Sequence, residues 1–472
     1  MNTEKLFLKS KGVNAQTFYN FLSMVIRSGI SFLTMPLFTR LLGAEQYGLY
    51  SVYHSWLLIL TCVMGLNVGA GLGTGYYKFK KEYYQYKSST LLEGTLISAV
   101  IIFILLALYP LLSGIILYPF AIFAILLMEA FAQFVLNLSS VGWVYEKRAS
   151  ANMLVSLGML ISTTVLSIGL LLNWRGGAEN LYCARVLGNA IPGVMIAGIL
   201  GIYIFKSHPM GYCREYWEYS LMFGLPMVFH SLSQQILGQA DRVMMQKFEI
   251  DGTEIGIYSF FYTFTGLLLT ILLALNNSWC PFLYDRLNRK SYSALDQAVR
   301  HYVQIFTVLC LGFLMFSREV AQVFANEEYW SGLPLIPVLV LVIYCTYIYQ
   351  FAVNYEFFKS QPRIVAVGTV IAGVLNIILN SVMIPHWGMY GAVGATLLSY
   401  VTLALMHFIV VKHWKLEKYP LKILPVIWGL GMVIIGCGAY WLLEDYRLLR
   451  WGIGGGLGIH LLYTIYRRRK IF

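Results

Sequence analysis

The chain has 472 residues, 58% of them hydrophobic and only 12% charged. A soluble domain carries about twice that share of charge, and the mean hydropathy of +0.66 excludes one. The net charge of +12 calls for no nucleic acid, because the cytoplasmic loops of membrane proteins collect Lys and Arg that face anionic lipid.

Apolar runs of about 20 residues, each able to cross about 30 Å of hydrocarbon, recur from end to end. Their continuity excludes a transmembrane β-barrel, whose strands are short and alternate. In chain order, hydropathy predicts about fourteen helices, near 15–38, 47–70, 90–112, 118–142, 150–172, 180–204, 216–246, 254–278, 298–320, 333–357, 362–385, 388–411, 421–441 and 447–466. The fold class is an all-α polytopic membrane protein. The first helix is not a cleavable signal: no A-x-A-like site follows it and Arg27 interrupts it. With the N-terminus inside, about 25 of the 34 basic residues fall in inner segments, including a basic tail, Arg467–Lys470. Both termini are therefore expected in the cytoplasm.

RLLGAEQYGLYS at 40–51 is echoed by KFEIDGTEIGIYS at 247–259, which sets Gly48, Tyr50 and Ser51 on Gly256, Tyr258 and Ser259. Tyr145-Glu146 and Gly158 likewise match Tyr355-Glu356 and Gly368. Two anchors at nearly one spacing predict a six-helix unit duplicated in tandem. An even number of spans makes the repeats parallel. The expected division is 1–208, 209–415 and an appendix of two helices at 416–472. A two-half bundle of this kind binds substrate between its repeats, although the loop itself reads first as a structural turn of Gly and Tyr.

Loops are expected to be short, the longest from about Trp279 to Gln297, so the chemistry belongs to polar groups inside the spans, where a charge costs roughly 2.5–3.5 kcal/mol or more. Arg27, in mid-helix, either grips a diphosphate with its planar fork or pairs with an acid such as Glu129. Helix four carries Glu129, Gln133 and Asn137 at i, i+4 and i+8. Glu129 reads as a proton-coupling carboxylate or as the counter-ion of Arg27. Helix seven, HSLSQQILGQADR at 230–242, is too polar for lipid. Its His230, Gln234, Gln239, Asp241 and Arg242 are expected to line a cavity, or Asp241 and Arg242 to clamp against helix one. Pro36, Gly224 and Pro226 are candidate bends.

Glu146 and Glu356 close equivalent helices beside Lys147, Arg148 and Lys359, which suggests a structural charge network. Asn67, Arg185, Asn189, Asn276, Asn277, Gln350 and Asn354 tie helices together or meet sugar hydroxyls. Most aromatic residues fall at span ends, where belts form. The seven cysteines show neither CxxC nor a Cys/His cluster and read as apolar fillers. No G-x-x-x-x-G-K-[ST], H-E-x-x-H or Ser/His/Asp arrangement appears. No metal, cofactor or enzymatic activity is expected.

MPLFTRLLGAEQYGLYS after helix one, DRVMMQKF followed by GIYSF, and an NNSWCPFLY turn after helix eight, together with the fourteen-helix layout, resemble the polysaccharide flippases of the multidrug/oligosaccharidyl-lipid/polysaccharide exporter superfamily. The resemblance spans essentially the whole chain. It implies transfer of an undecaprenyl-diphosphate-linked oligosaccharide across a bacterial inner membrane, for O-antigen, capsule or exopolysaccharide. The partners it implies are that glycolipid, membrane lipid, a coupling H+ or Na+ and a polysaccharide polymerase. It places Arg27, Arg242 and the polar face of helix seven, with His230 and Gln234, on a cationic cavity lined by helices one, two, seven and eight. The residues themselves add Asn67 and Asn276 as candidate substrate contacts and Glu129, Asp241 and Glu356 as coupling or charge-pair groups. A multidrug or organic-cation exporter of the same fold is the alternative, and a membrane glycan polymerase a more distant one.

Overall fold

The computed structural model describes the backbone of residues 12–413 and 421–468, and side chains from Phe32 onward apart from those near the C-terminal end. The side chain of Arg27 and most of the basic C-terminal tail lie outside the described residues. The helices are α1 (Gly12–Val63), α2 (Leu72–Lys78), α3 (Tyr83–Ala107), α4 (Phe120–Tyr145), α5 (Ala149–Leu172), α6 (Leu181–Ser207) and α7 (Arg214–Lys247), then α8 (Gly252–Asn288), α9 (Tyr292–Phe324), α10 (Leu335–Phe358), α11 (Pro362–His413), α12 (Leu424–Leu442) and α13 (Arg447–Arg468). Because α1 breaks at Gly43 and α11 at Gly388, the described residues hold one long helical segment for each predicted span. Among the described residues, ten helices are long and apolar enough to cross a membrane; the more polar α7 and α13 are not among them.

Contacts gather the chain into two compact units. The first takes the chain up to Leu42 and Leu49–Val243; the second takes Gly43–Gly48 and Met244 onward. In the first, α6 packs on α5 and α4. Phe134 of α4 fills a slot against Gly65 and Gly94. In the second, α10 lies along α11, and α9 packs on α12 and α13. The core there is aromatic, with Trp279 stacked on Tyr302 at 4.8 Å and Tyr347 edge-on to Tyr302 at 5.1 Å.

The breaks follow from glycine and from carboxylate caps. Gly43 (φ 72°) and Gly388 (φ 50°) adopt a conformation that glycine enters freely. The helix restarting after each has unsatisfied N–H groups. Ala44 N donates to Glu328 Oε1 at 2.8 Å and Met389 N to Glu254 Oε1 at 2.6 Å. Asp251 caps α8 by accepting from Thr253 N at 3.0 Å. The two copies of the repeated loop meet through Gly48 and Gly256.

Three sequence expectations change. The stretch expected as the longest loop is helix: α8 runs on to Asn288 and α9 begins at Tyr292. NNSWCPFLY is thus no turn, and Pro281 lies inside α8. Trp279, Leu283 and Leu287 are buried at i, i+4 and i+8, an apolar stripe that keeps the segment helical beyond its hydropathy window. Helix three likewise starts at Tyr83 rather than 90 and buries Tyr83, Tyr86, Lys87 and Thr90. Helix two does not run unbroken to residue 70. It ends at Val63 and passes into a 3₁₀ segment, Met64–Gly71, in which Gly65, Leu66 and Asn67 are all left-handed (φ 59°, 46° and 55°).

Candidate functional site

The polar groups of the first unit gather where the second stretch of α1 meets α4, α6 and α7. Glu129, 2% exposed, accepts a hydrogen bond from Tyr53 Oη at 2.7 Å. A buried carboxylate needs such a donor, since burial without one is costly. Arg185 of α6 is held by rings: its guanidinium carbon lies 3.6 Å from the centre of Phe38 and 5.3 Å from that of Tyr50. Tyr50 in turn receives a hydrogen bond from Asn189 Nδ2. Arg185 Nη1 is buried and has no hydrogen-bond acceptor among the described residues.

Arg242, 5% exposed, donates from Nη1 to Gly238 O at 3.1 Å and to Gln239 Oε1 at 3.2 Å. Gln239 Oε1 also accepts from Ser55 Oγ at 3.0 Å, so helix α7 is tied to α1 through the arginine's own acceptor. Arg242 and Arg185 both act electrostatically on His54. Asp241 beside Arg242 is fully buried. His230 and Gln234 lie half-buried on the same helix. Asn67, in the left-handed break, donates from Nδ2 to Ser231 Oγ at 3.4 Å. Of the expected stripe on α4, Glu129 is buried whereas Asn137 is exposed.

Other carboxylates form pairs. Glu146 binds Lys87 Nζ at 2.6 Å and lies 3.7 Å from Arg148 Nε. Both oxygens of Glu356 meet His407 Nδ1, at 3.0 and 2.8 Å, with both residues buried. The histidine on α11, rather than the neighbouring Lys359, faces this carboxylate; Lys359 lies over the rings of Tyr355 and Phe358. Asn276 accepts from Asn354 Nδ2 at 2.8 Å. Among the described residues no three His, Cys, Asp or Glu side chains cluster as metal ligands.

The structure therefore brings Glu129, Asp241, Arg242, His230, Gln234 and Asn67 into one unit, and Asn276 and Glu356 into the other. Sequence reasoning missed His54 and Tyr53. It also missed Glu93, which is fully buried on α3 and accepts from Ser220 Oγ of α7. The available signals were a histidine in the apolar run YHSWLLIL and a lone acid in STLLEGTLIS.

Known proteins agree with this architecture. Over 96% of this chain and 98% of that one, the structure resembles "Lipid II flippase MurJ, inward closed conformation", with TM-score 0.71 at 15% identity. It resembles a multidrug resistance MATE family transporter of the MOP superfamily, inward-facing, with TM-score 0.59 at 15% identity over 91% and 97%. An uncharacterized membrane protein of Haemophilus influenzae is 23% identical over 77% of this chain and 90% of that protein. A Haloferax volcanii protein named "Probable low-salt glycan biosynthesis flippase Agl15" is 21% identical over 82% and 81%. The resemblance read from the sequence is thus borne out, and so is the fold class. Residues 13–285 match the polysaccharide biosynthesis protein family, and the chain belongs to that family.

Proposed function

We propose that this protein is a flippase for lipid-linked oligosaccharide. It moves an undecaprenyl-diphosphate glycan from the cytoplasmic to the outer leaflet of a bacterial inner membrane by alternating access, for O-antigen, capsule or exopolysaccharide. The observation that carries this reading is Arg185: a guanidinium inside a membrane-spanning bundle, clasped by rings, with a buried N–H that no described acceptor fills. Desolvated donors of this kind suit the oxygens of a diphosphate, and the guanidinium of Arg242 acts on the same neighbour, His54, as Arg185 does. Family membership supplies the glycan, and the length of the spans keeps the prenyl tail in lipid.

In this reading Arg185, Arg242 and Arg27 hold the diphosphate, while His230, Gln234, Asn67 and Asn276 meet sugar hydroxyls. Glu129, Asp241 and Glu356 serve coupling to H+ or Na+ or fix charge pairs. Both termini are cytoplasmic, and a polysaccharide polymerase takes the product. The protein makes no covalent change to its cargo.

The test uses purified protein in liposomes loaded with a fluorescent lipid-linked oligosaccharide. Protein-dependent exposure of inner-leaflet label to an impermeant quencher, lost in Arg185→Ala, supports the proposal. Label that stays protected despite folded protein overturns it. Export of cationic dye in its place would support the multidrug reading of the shared fold.

A further inference from the structure

We propose that Glu93 is an exchangeable proton site, protonated while α3 and α7 are packed together and ionised when they part. Its use in transport rests on the flippase reading above; the site itself rests on the geometry of the first unit.

Glu93 is fully buried near the middle of a membrane-crossing helix. Its Oε2 accepts from Ser220 Oγ of α7, and its Oε1 has no partner among the described residues. The other charged and titratable groups around it are committed elsewhere. Lys87, on the same helix, binds Glu146 of α4. Lys78 of α2 pairs with Glu215 at 3.1 Å and lies over the rings of Phe79 and Tyr219. Glu82 accepts from Tyr216 Oη at 2.7 Å. On α4, Glu129 is bound by Tyr53. The segment Met64–Gly71 carries no charge, nor does α6 between Arg185 and the exposed Lys206. The phenol of Tyr86 remains as an electrostatic neighbour, with Tyr219 beside it.

A carboxylate with one hydroxyl donor and no cation is not stably held away from water. A carboxylic acid in the same place is. Packing of α3 on α7 therefore selects the protonated form, and parting of the two helices admits water. The carboxyl O–H then breaks, the proton passes to water and the carboxylate stays on Glu93.

Helix α7 links this event to the rest of the site. Ser220 and Gly224 lie one turn apart on one face of α7. Ser220 holds Glu93. At Gly224 a Cβ would come within 2.6 Å of Leu66 O, so this glycine lets the left-handed break of Met64–Gly71 press against α7. The same helix carries His230, Gln234 and Arg242 further along. Movement of α7 that frees Glu93 must also disturb the break and shift the polar face. Glu129 is not tied to α7 in this way: its hydrogen-bond donor is Tyr53 of α1.

The experiment is infrared difference spectroscopy of the full-length protein in liposomes across a pH step, with a proton gradient as the only driving probe. The wild type is expected to show the carbonyl stretch of a protonated carboxylic acid. That band is lost in Glu93→Gln and kept in Glu129→Gln. Ser220→Ala should shift the band without removing it, because one hydrogen-bond donor disappears while the acid remains. An unchanged band in Glu93→Gln overturns the proposal. If Glu93→Gln fails to assemble, as judged by its thermal profile, Ser220→Ala decides alone, and an unshifted band overturns it. Retained response of glycan movement to the gradient in folded Glu93→Gln would overturn the coupling role. Failure of the wild type to move glycan, with the band and its loss intact, would remove the glycan cargo and support the proton site.

Discussion

Gly48 and Gly256, at matching places in the two copies of the repeated loop, pack backbone to backbone. A Cβ on Gly48 would lie 2.8 Å from Gly256 N, and one on Gly256 would lie 3.1 Å from Gly48 N. The repeat thus has a physical reason: each copy's glycine leaves out the side chain for which the other copy's backbone has no room. Gly256→Ala is expected to destabilise the protein by about 1–3 kcal/mol, the usual range for overpacking. Gly266→Ala on the same helix, where a Cβ meets nothing within 4 Å, should leave thermal unfolding in detergent unchanged. Equal melting of the two variants would contradict the packing account.

Much of this architecture is legible in the sequence, because hydropathy and loop charge respond to the bilayer directly. The fourteen segments and the short connections follow from runs of apolar residues. What the sequence hides is the contact chemistry. YEFFKS placed Lys359 beside Glu356, yet the partner is His407, 51 residues on, and only packing of α10 on α11 brings them together. The left-handed break at Gly65–Asn67 sits in GLNVGAGLGTG, where glycines at such spacing suit close helix packing as well as a break. Arg27 reads from the sequence as a cation in mid-helix, and its side chain lies outside the described residues.

The buried pair Lys87–Glu146 should behave as a structural unit. Lys87→Met leaves Glu146 with only the half-exposed Arg148 at 3.7 Å and is expected to cost about 3–5 kcal/mol. The double variant Lys87→Met/Glu146→Leu should recover a substantial part of that loss. A double-mutant cycle with no coupling energy would remove the pair from the account.

Asn67 adopts φ 55°, which glycine and asparagine enter far more readily than β-branched residues. Asn67→Gly is expected to keep the break and lose only the contact to Ser231. Asn67→Val should cost about 1–3 kcal/mol through backbone strain. Similar thermal stabilities for the two would argue that the break is not needed for folding.

Arg185 is predicted to set affinity for the diphosphate. Losing a hydrogen bond to a charged group costs about 1.5–3 kcal/mol, so Arg185→Ala should weaken binding of a soluble prenyl-diphosphate analogue roughly tenfold or more. Arg185→Lys should not restore it, because an ammonium lacks the planar fork and its stacking on Phe38. Unchanged titration calorimetry in Arg185→Ala would move the diphosphate away from α6.

The most direct test of the flippase claim is the fate of lipid-linked glycan in a strain lacking this protein. Membrane lipids are extracted, prenyl-diphosphate oligosaccharide is quantified, and its leaflet is read by labelling intact cells and spheroplasts with an impermeant lectin. The account predicts complete repeat units trapped on the cytoplasmic leaflet, with surface polysaccharide lost. Complete units already on the outer leaflet would contradict it.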